Sequence, residues 1–233
     1  MNKENKPAMS AAPSLRGTMR DSIGCDNENF SSPKESRLRV PGGEAPSQLN
    51  LMLDLETAST RPDAAILSIA IVPFSLDAAE PAPEVDKYYE VIDLGSCFLE
   101  GDYIDRDTQE WWMRQDPRAK HELRSRQGAL VRTAIREAYN YLCYLAEQYE
   151  LIVWSQGIDF DFPILEHAIK KYVEPKEMPY QYWNKRDVRT ILKWCDVDYR
   201  NIERTGTAHN ALDDCRTQIK NVQAAYAKLK IEN

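Results

Sequence analysis

Residues 49–57, reading LNLMLDLET, constrain this chain more than any other stretch. Leu49, Leu51, Leu53 and Leu55 recur at period two, with Asn50, Met52, Asp54 and Glu56 between them. The pattern predicts a buried strand. Side chains two apart in a strand point the same way, so Asp54 and Glu56 stand side by side at its end. Burying two adjacent carboxylates desolvates both and sets them in repulsion. A bound divalent cation removes that penalty, so the stretch reads as a metal platform on a central strand. The spacing alone proves little, because Asp26 and Glu28 repeat it with no strand pattern beneath them.

The residues after this strand indicate the fold. Residues 65–74 (AILSIAIVPF) predict a second buried strand and 84–94 (EVDKYYEVIDL) a third, which together make an antiparallel meander. Helices are expected over 108–115, 117–123 and 128–149, the last with Leu130, Ala134, Ala138, Leu142 and Leu145 on one face. Residues 151–154 (LIVW) predict a short buried strand, and 162–172 a helix with Asp161 at its start. Residues 183–187 read as a fifth strand or a turn before a helix over 188–194, and 211–230 as a final amphipathic helix. A meander succeeded by alternating helix and strand implies an α/β domain with a mixed sheet. Residues 1–48 hold five prolines, four glycines and seven serines without an apolar period. They are expected to be a disordered tail ahead of one domain over 49–233.

Composition narrows the function. With 37 acidic against 30 basic residues the formal charge is -7, which excludes a protein that coats nucleic acid by bulk electrostatics. It allows an enzyme that grips a strand end through metals and a few arginines. Cys25, Cys97, Cys143, Cys195 and Cys215 are scattered and form no CxxC pair. That implies free thiols in a reducing compartment and no zinc site. No apolar run has the length of a membrane span, and the N-terminus lacks the apolar core of a signal peptide. A soluble, cytoplasmic protein without membrane contact is therefore expected.

Later residues complete the acid pair. Asp161 opens a helix after a short buried strand in GIDFDFPIL, and His209 precedes Asp214 by five positions in AHNALDD. His209 falls where a loop enters the last helix, so it can face a cleft while Asp214 projects one turn later. Four carboxylates and one imidazole suit two-metal hydrolysis of a phosphodiester. Oxygen ligands favour Mg²⁺ or Mn²⁺, and a neutral histidine can take the proton from the attacking water. Each member alone has a plainer reading: Asp161 as a helix cap, Asp214 as a solvated helix acid, His209 as a cap or surface residue. The ordered set is what carries the signal.

The order Asp-x-Glu, Asp, His-x4-Asp resembles the DnaQ-like DEDDh family of 3′→5′ exonucleases, over roughly residues 49–229. More narrowly, SQGIDFDFPIL, YWNKRDVRT and AHNALDDC resemble stretches of exonuclease A of T-even bacteriophages and of the related mycobacterial exoribonuclease-like group. The resemblance implies an RNase H-like three-layer fold with a mixed five-stranded sheet. It implies that Asp54, Glu56 and Asp214 hold a first divalent ion, with Asp54 bridging to a second. Asp161 reaches that second ion through water, and His209 is the general base. FDFPIL aligns Asp161 rather than Asp159 with the middle acid, and only Asp214, not Asp213, keeps the offset from His209. The implied substrate is the 3′ end of single-stranded DNA or RNA, DNA being favoured, with nucleoside 5′-monophosphates released. A phage or prophage origin fits the same resemblance.

Four further residues are candidates for substrate contact. The resemblance puts the Thr57 neighbourhood at the terminal 3′-hydroxyl and an apolar residue near Leu55 between the last two bases. A turn-forming threonine and a core leucine are the plain alternatives. Of Trp111 and Trp112 one ring suits the core and the other base stacking, a role assigned to Trp112. Arg186 or Arg189 suits a phosphate, with Arg186 the first choice, while Asp187 is read as anchoring the helix after it. Two other readings stay open: an exoribonuclease, because no residue announces a reader of the 2′-hydroxyl, and a catalytically silent nucleic-acid-binding module of the same fold. The sequence does not specify the oligomeric state.

Overall fold

The computed structural model describes residues 47–125 and 127–232. The tail expected over 1–48 lies, but for its last two positions, outside the described residues. Gln48 already belongs to the sheet. The central strand, β1 (Gln48–Thr57), pairs antiparallel with β2 (Ile66–Phe74), which pairs antiparallel with β3 (Tyr88–Val91). On its other side β1 runs parallel to β4 (Glu150–Ser155), and β4 runs parallel to β5 (Lys185–Asp187). The order is β3-β2-β1-β4-β5, the mixed five-stranded sheet expected from meander and crossover. Seven helices flank it among the described residues: α1 (Leu94–Leu99), α2 (Arg106–Met113), α3 (Pro117–Ser125), α4 (Val131–Ala146), α5 (Asp161–Tyr172), α6 (Val188–Trp194) and α7 (Ala211–Glu232). None is long and apolar enough to cross a membrane.

The period of β1 decides which helices cover it. Leu49, Leu51, Leu53 and Leu55 enter one core with Ala134, Ile135, Ala138 and Leu142 of α4 and Ile164, Leu165 and Ile169 of α5. Met52 points the other way, into a second core with Val188 and Leu192 of α6 and Ala211, Cys215, Val222 and Ala225 of α7. Each fully buried leucine contributes about 1.5–3 kcal/mol relative to exposure, so a one-residue slip of β1 would forfeit both layers. Asp54 and Glu56 share the face of Met52 and therefore meet α7.

Two boundaries differ from expectation because of a polar cap. The third strand is four residues long rather than running over 84–94. Asp93 ends it by accepting from the backbone N–H groups of Gly95 and Ser96, which starts α1. Asp105 accepts from Thr108 N at 2.9 Å and so starts α2 two residues early. Asp187 caps α6 through Arg189 N and Thr190 N, as its anchoring role required. The fifth strand is real but short, preceded by a single 3-10 turn, Tyr182–Asn184.

Candidate active site

The C-terminal end of β1 opens into a cleft lined by Asp54, Leu55, Glu56, Thr57, Trp111, Trp112, Asp161, Arg189, His209, Asp214 and Gln218, together with neighbouring residues. All five members of the ordered set thus reach one place. β1 supplies two acids on the α7 face, and its register with β2 shifts between Glu56 and Thr57, a bulge at the mouth of the site. β4 delivers Asp161 through a turn at Gly157, whose φ of 143° no side-chain-bearing residue adopts readily. There Phe160 N and Asp161 N both donate to the Gly157 carbonyl.

Asp161 does not cap its own helix, since its carboxylate accepts from the Leu55 backbone N–H at 3.2 Å. It therefore ties the α5 N-terminus to the strand carrying the acid pair. Asp159, its register competitor, is exposed and does not line the cleft.

The last helix sorts Asp213 from Asp214. Asp213 faces backward onto the loop: its Oδ2 accepts from Thr207 N at 2.9 Å and its Oδ1 from Arg216 Nη1 at 2.9 Å. Gly206 has φ 68°, and a Cβ there would lie 2.1 Å from Asp213 Oδ2, so the loop packs directly on that carboxylate. Thr217 adds a second tie by accepting from Thr205 N at 3.1 Å. Held in this way, the loop presents His209 in a left-handed conformation, φ 60°. Asp214 faces the cleft, accepts from His209 N at 3.2 Å and pairs with Arg204.

Burial dominates the electrostatics. It drives Asp54 well above the ordinary carboxylate range, with Asp161 and Glu56 adding repulsion; the Gln218 amide, donating to Asp54 Oδ1 at 2.7 Å, and the Arg204 charge oppose the rise. Glu56 is pushed up to about 8 by burial and by Asp161, against Arg204. Asp161 rises to about 7 through burial, opposed by the Leu55 N–H and by Arg189. His209 is held below the ordinary imidazole value, first by burial and then by Arg204. The site is short of positive charge. Glu56, His209 and Asp214 each offer a ligand atom within 4.8 Å of the others, and hard oxygen donors with one imidazole fit a divalent cation.

The four substrate-contact candidates fare differently. Leu55 is buried in the core but borders the cleft. Thr57 borders it too, although its hydroxyl donates to the Ser59 carbonyl at 2.7 Å, as a turn residue does. The two tryptophans exchange the parts expected of them. Trp112 is the core ring, its indole N–H donating to the Thr57 carbonyl at 2.9 Å, while Trp111 is 37% exposed. The reason is helix phase, since position 112 of α2 faces the Thr57 carbonyl at the end of β1. Arg186 is also corrected: it lies outside the cleft lining and donates to the Trp183 and Lys185 carbonyls, whereas Arg189, in the first turn of α6, lines the cleft. Sequence reasoning missed Gln218 and Arg204. Gln218 is legible in retrospect as the polar residue one turn beyond Asp214 on the same helix face, but nothing in the local sequence around Arg204 marks it.

Residues 49–226 match the family described as the 3′–5′ exoribonuclease Rv2179c-like domain. The chain is 23% identical over 200 residues to an exodeoxyribonuclease of Enterobacteria phage T4, covering 73% of this chain and 86% of the phage protein. Among solved structures it is similar in fold to the zinc-bound complex of E. coli exonuclease I with single-stranded DNA, with a TM-score of 0.52 at 12% identity over 80% of this chain. It spans 42% of that exonuclease's length. The fold is that of the RNase H-like exonucleases. Because the matched residues run from β1 into α7, taking in all of the sheet but its first residue and every cleft residue named above, the chain belongs to the Rv2179c-like family and is a 3′–5′ exonuclease.

Proposed function

We propose that this exonuclease is metal-dependent, acts on the 3′ end of single-stranded nucleic acid and releases nucleoside 5′-monophosphates. The observation that carries the proposal is the approach of Glu56, His209 and Asp214 to within 4.8 Å, beside the half-buried Asp54 and the buried Asp161. Asp54, Glu56, Asp161 and Asp214 would hold two divalent cations, Mg²⁺ or Mn²⁺. When bound, such ions supply Lewis-acid stabilisation of charge on the phosphodiester oxygens. His209 is neutral at neutral pH because its basicity is lowered, and it takes the proton from the attacking water. Arg189, exposed at the cleft, meets a phosphate through its guanidinium. Leu55 and Thr57 border the place of the last nucleotide.

DNA is the proposed preferred substrate, because the phage T4 relative is named an exodeoxyribonuclease. The RNA reading is favoured by the family's description. Labelled DNA and RNA oligomers of one sequence, assayed with Mg²⁺, Mn²⁺ or chelator, separate the two. We expect shortening from the 3′ end, faster on DNA, and abolished by chelator. Asp54→Asn should keep the circular dichroism of the wild type and lose hydrolysis; full activity in that variant would sink the site assignment.

A further inference from the structure

The acid strand and the histidine loop are joined by a run of aromatic contacts. Thr57, the last residue of β1, offers its carbonyl to the Trp112 indole N–H at 2.9 Å, and the Trp112 ring is 9% exposed. Trp111 packs edge-to-face on Trp112, with centroids 5.3 Å apart at 82°. Trp111 packs edge-to-face again on His209, at 4.7 Å and 78°, while Trp112 lies 6.1 Å from the same imidazole. Among the described residues no hydrogen bond orients the His209 side chain; its backbone N–H, not its ring, meets Asp214. A general-base histidine needs a fixed ring orientation, which a carboxylate or carbonyl usually supplies. Here the rings fill that place.

We infer that Trp111 is a positioning residue for His209. Its indole sets the plane of the imidazole, and Trp112, bonded to the end of β1, ties that plane to the strand bearing Asp54 and Glu56. Trp111 is also exposed enough to meet a substrate base, and the two roles separate kinetically. A base-stacking wall acts on substrate binding, so its loss raises KM. A positioning residue acts on the chemical step, because a displacement of about 1 Å costs up to about 100-fold in rate.

The inference rests on His209 being the base, and the test keeps the two apart. Trp111→Ala and Trp111→Phe are made in the wild-type and His209→Ala backgrounds, and kcat and KM are measured on a single-stranded oligomer. Trp111→Ala is expected to lower kcat roughly 10- to 100-fold with KM within about twofold, and Trp111→Phe to restore most of it. In the His209→Ala background Trp111→Ala should add nothing, because the group it positions is gone. The imidazole resonances of His209, displaced by the neighbouring ring currents, should move toward unstructured values in Trp111→Ala at unchanged thermal stability. A raised KM with kcat intact, or an equal loss in both backgrounds, overturns the inference and leaves the base assignment standing. Full activity in His209→Ala overturns the base assignment and this inference with it.

Discussion

Glu56→Gln should make the metal-free protein more stable while removing its function. Glu56 has an ordinary value of 4.5 and is pushed up to about 8 in the fold, so between those limits the native state holds a proton that the unfolded chain has released. Wild-type stability therefore falls as pH rises through that window and is flat below it. At about pH 7 the effect of this one group is about 3 kcal/mol, since each unit of pKa is worth about 1.4 kcal/mol. Glutamine keeps the shape of the protonated acid and ionises in neither state. In chelator near pH 7 the variant should thus gain about 3 kcal/mol, roughly 10 °C in Tm for a domain of this size, and near pH 4 the gain should vanish. A divalent ion should reverse the order. At about 1,000 times its Kd it stabilises the native wild type by about 4.1 kcal/mol, more than the variant's lead in chelator, and the variant forgoes one ligand. Thermal melts at two pH values, with chelator and with Mn²⁺, measure all four terms. A variant less stable than wild type in chelator at neutral pH would refute the reasoning, as would a difference that does not change with pH.

Two other outcomes are expected from the charges around the site. His209 titrates below the ordinary imidazole value through burial and Arg204, so it stays neutral, and competent as a base, to lower pH than a free imidazole. The acid limb of the kcat/KM profile should lie below that ordinary value, and in Arg204→Gln it should move upward. Arg204 is also the cation already paired with Asp214. Replacing it with glutamine should tighten Mn²⁺ binding several-fold by calorimetry, because the ion no longer competes with a guanidinium for the carboxylate. Weaker Mn²⁺ binding in that variant would mean that Arg204 organises the cluster rather than neutralising it.

Much of the fold was legible because its signals are local. The period of β1 gives its two faces, and the apolar runs at β2 and β4 give its neighbours. What escaped was decided by single side chains acting on the backbone. Asp93 ends β3 by capping α1, and strand-like alternation through residue 92 says nothing of that competition. The exchange between Trp111 and Trp112 has the same origin. Both are aromatic and adjacent, and only the position of α2 against the carbonyl of Thr57, 55 residues away, decides which ring is buried.

The site divides along the same line. Asp54, Glu56, Asp161, His209 and Asp214 were legible because their order and spacing are constrained, whereas their counterweights arrive from elsewhere in the chain. Gln218 meets Asp54 across 164 residues, Leu55 N–H meets Asp161 across 106, and Arg204 reaches Asp214 from a loop. These counterweights are partial: one amide, the Leu55 and His209 backbone N–H groups and the Arg204 and Arg189 guanidinia face four acids, and Asp54, Glu56 and Asp161 still sit far above their ordinary values. A fully compensated cluster would be stable and indifferent to cations; this one is expected to be destabilising when empty and, on the proposed metal-dependent reading, to draw cations for the same reason. Asp213 makes the contrast within one helix turn. Its carboxylate is committed to Thr207 N and Arg216 and so fixes the loop, which frees Asp214, its neighbour in sequence, to face the cleft. On the proposed reading, affinity for metal and low stability of the metal-free state follow from the same under-compensated acids, and a substitution that stabilises the metal-free state is expected to weaken metal binding.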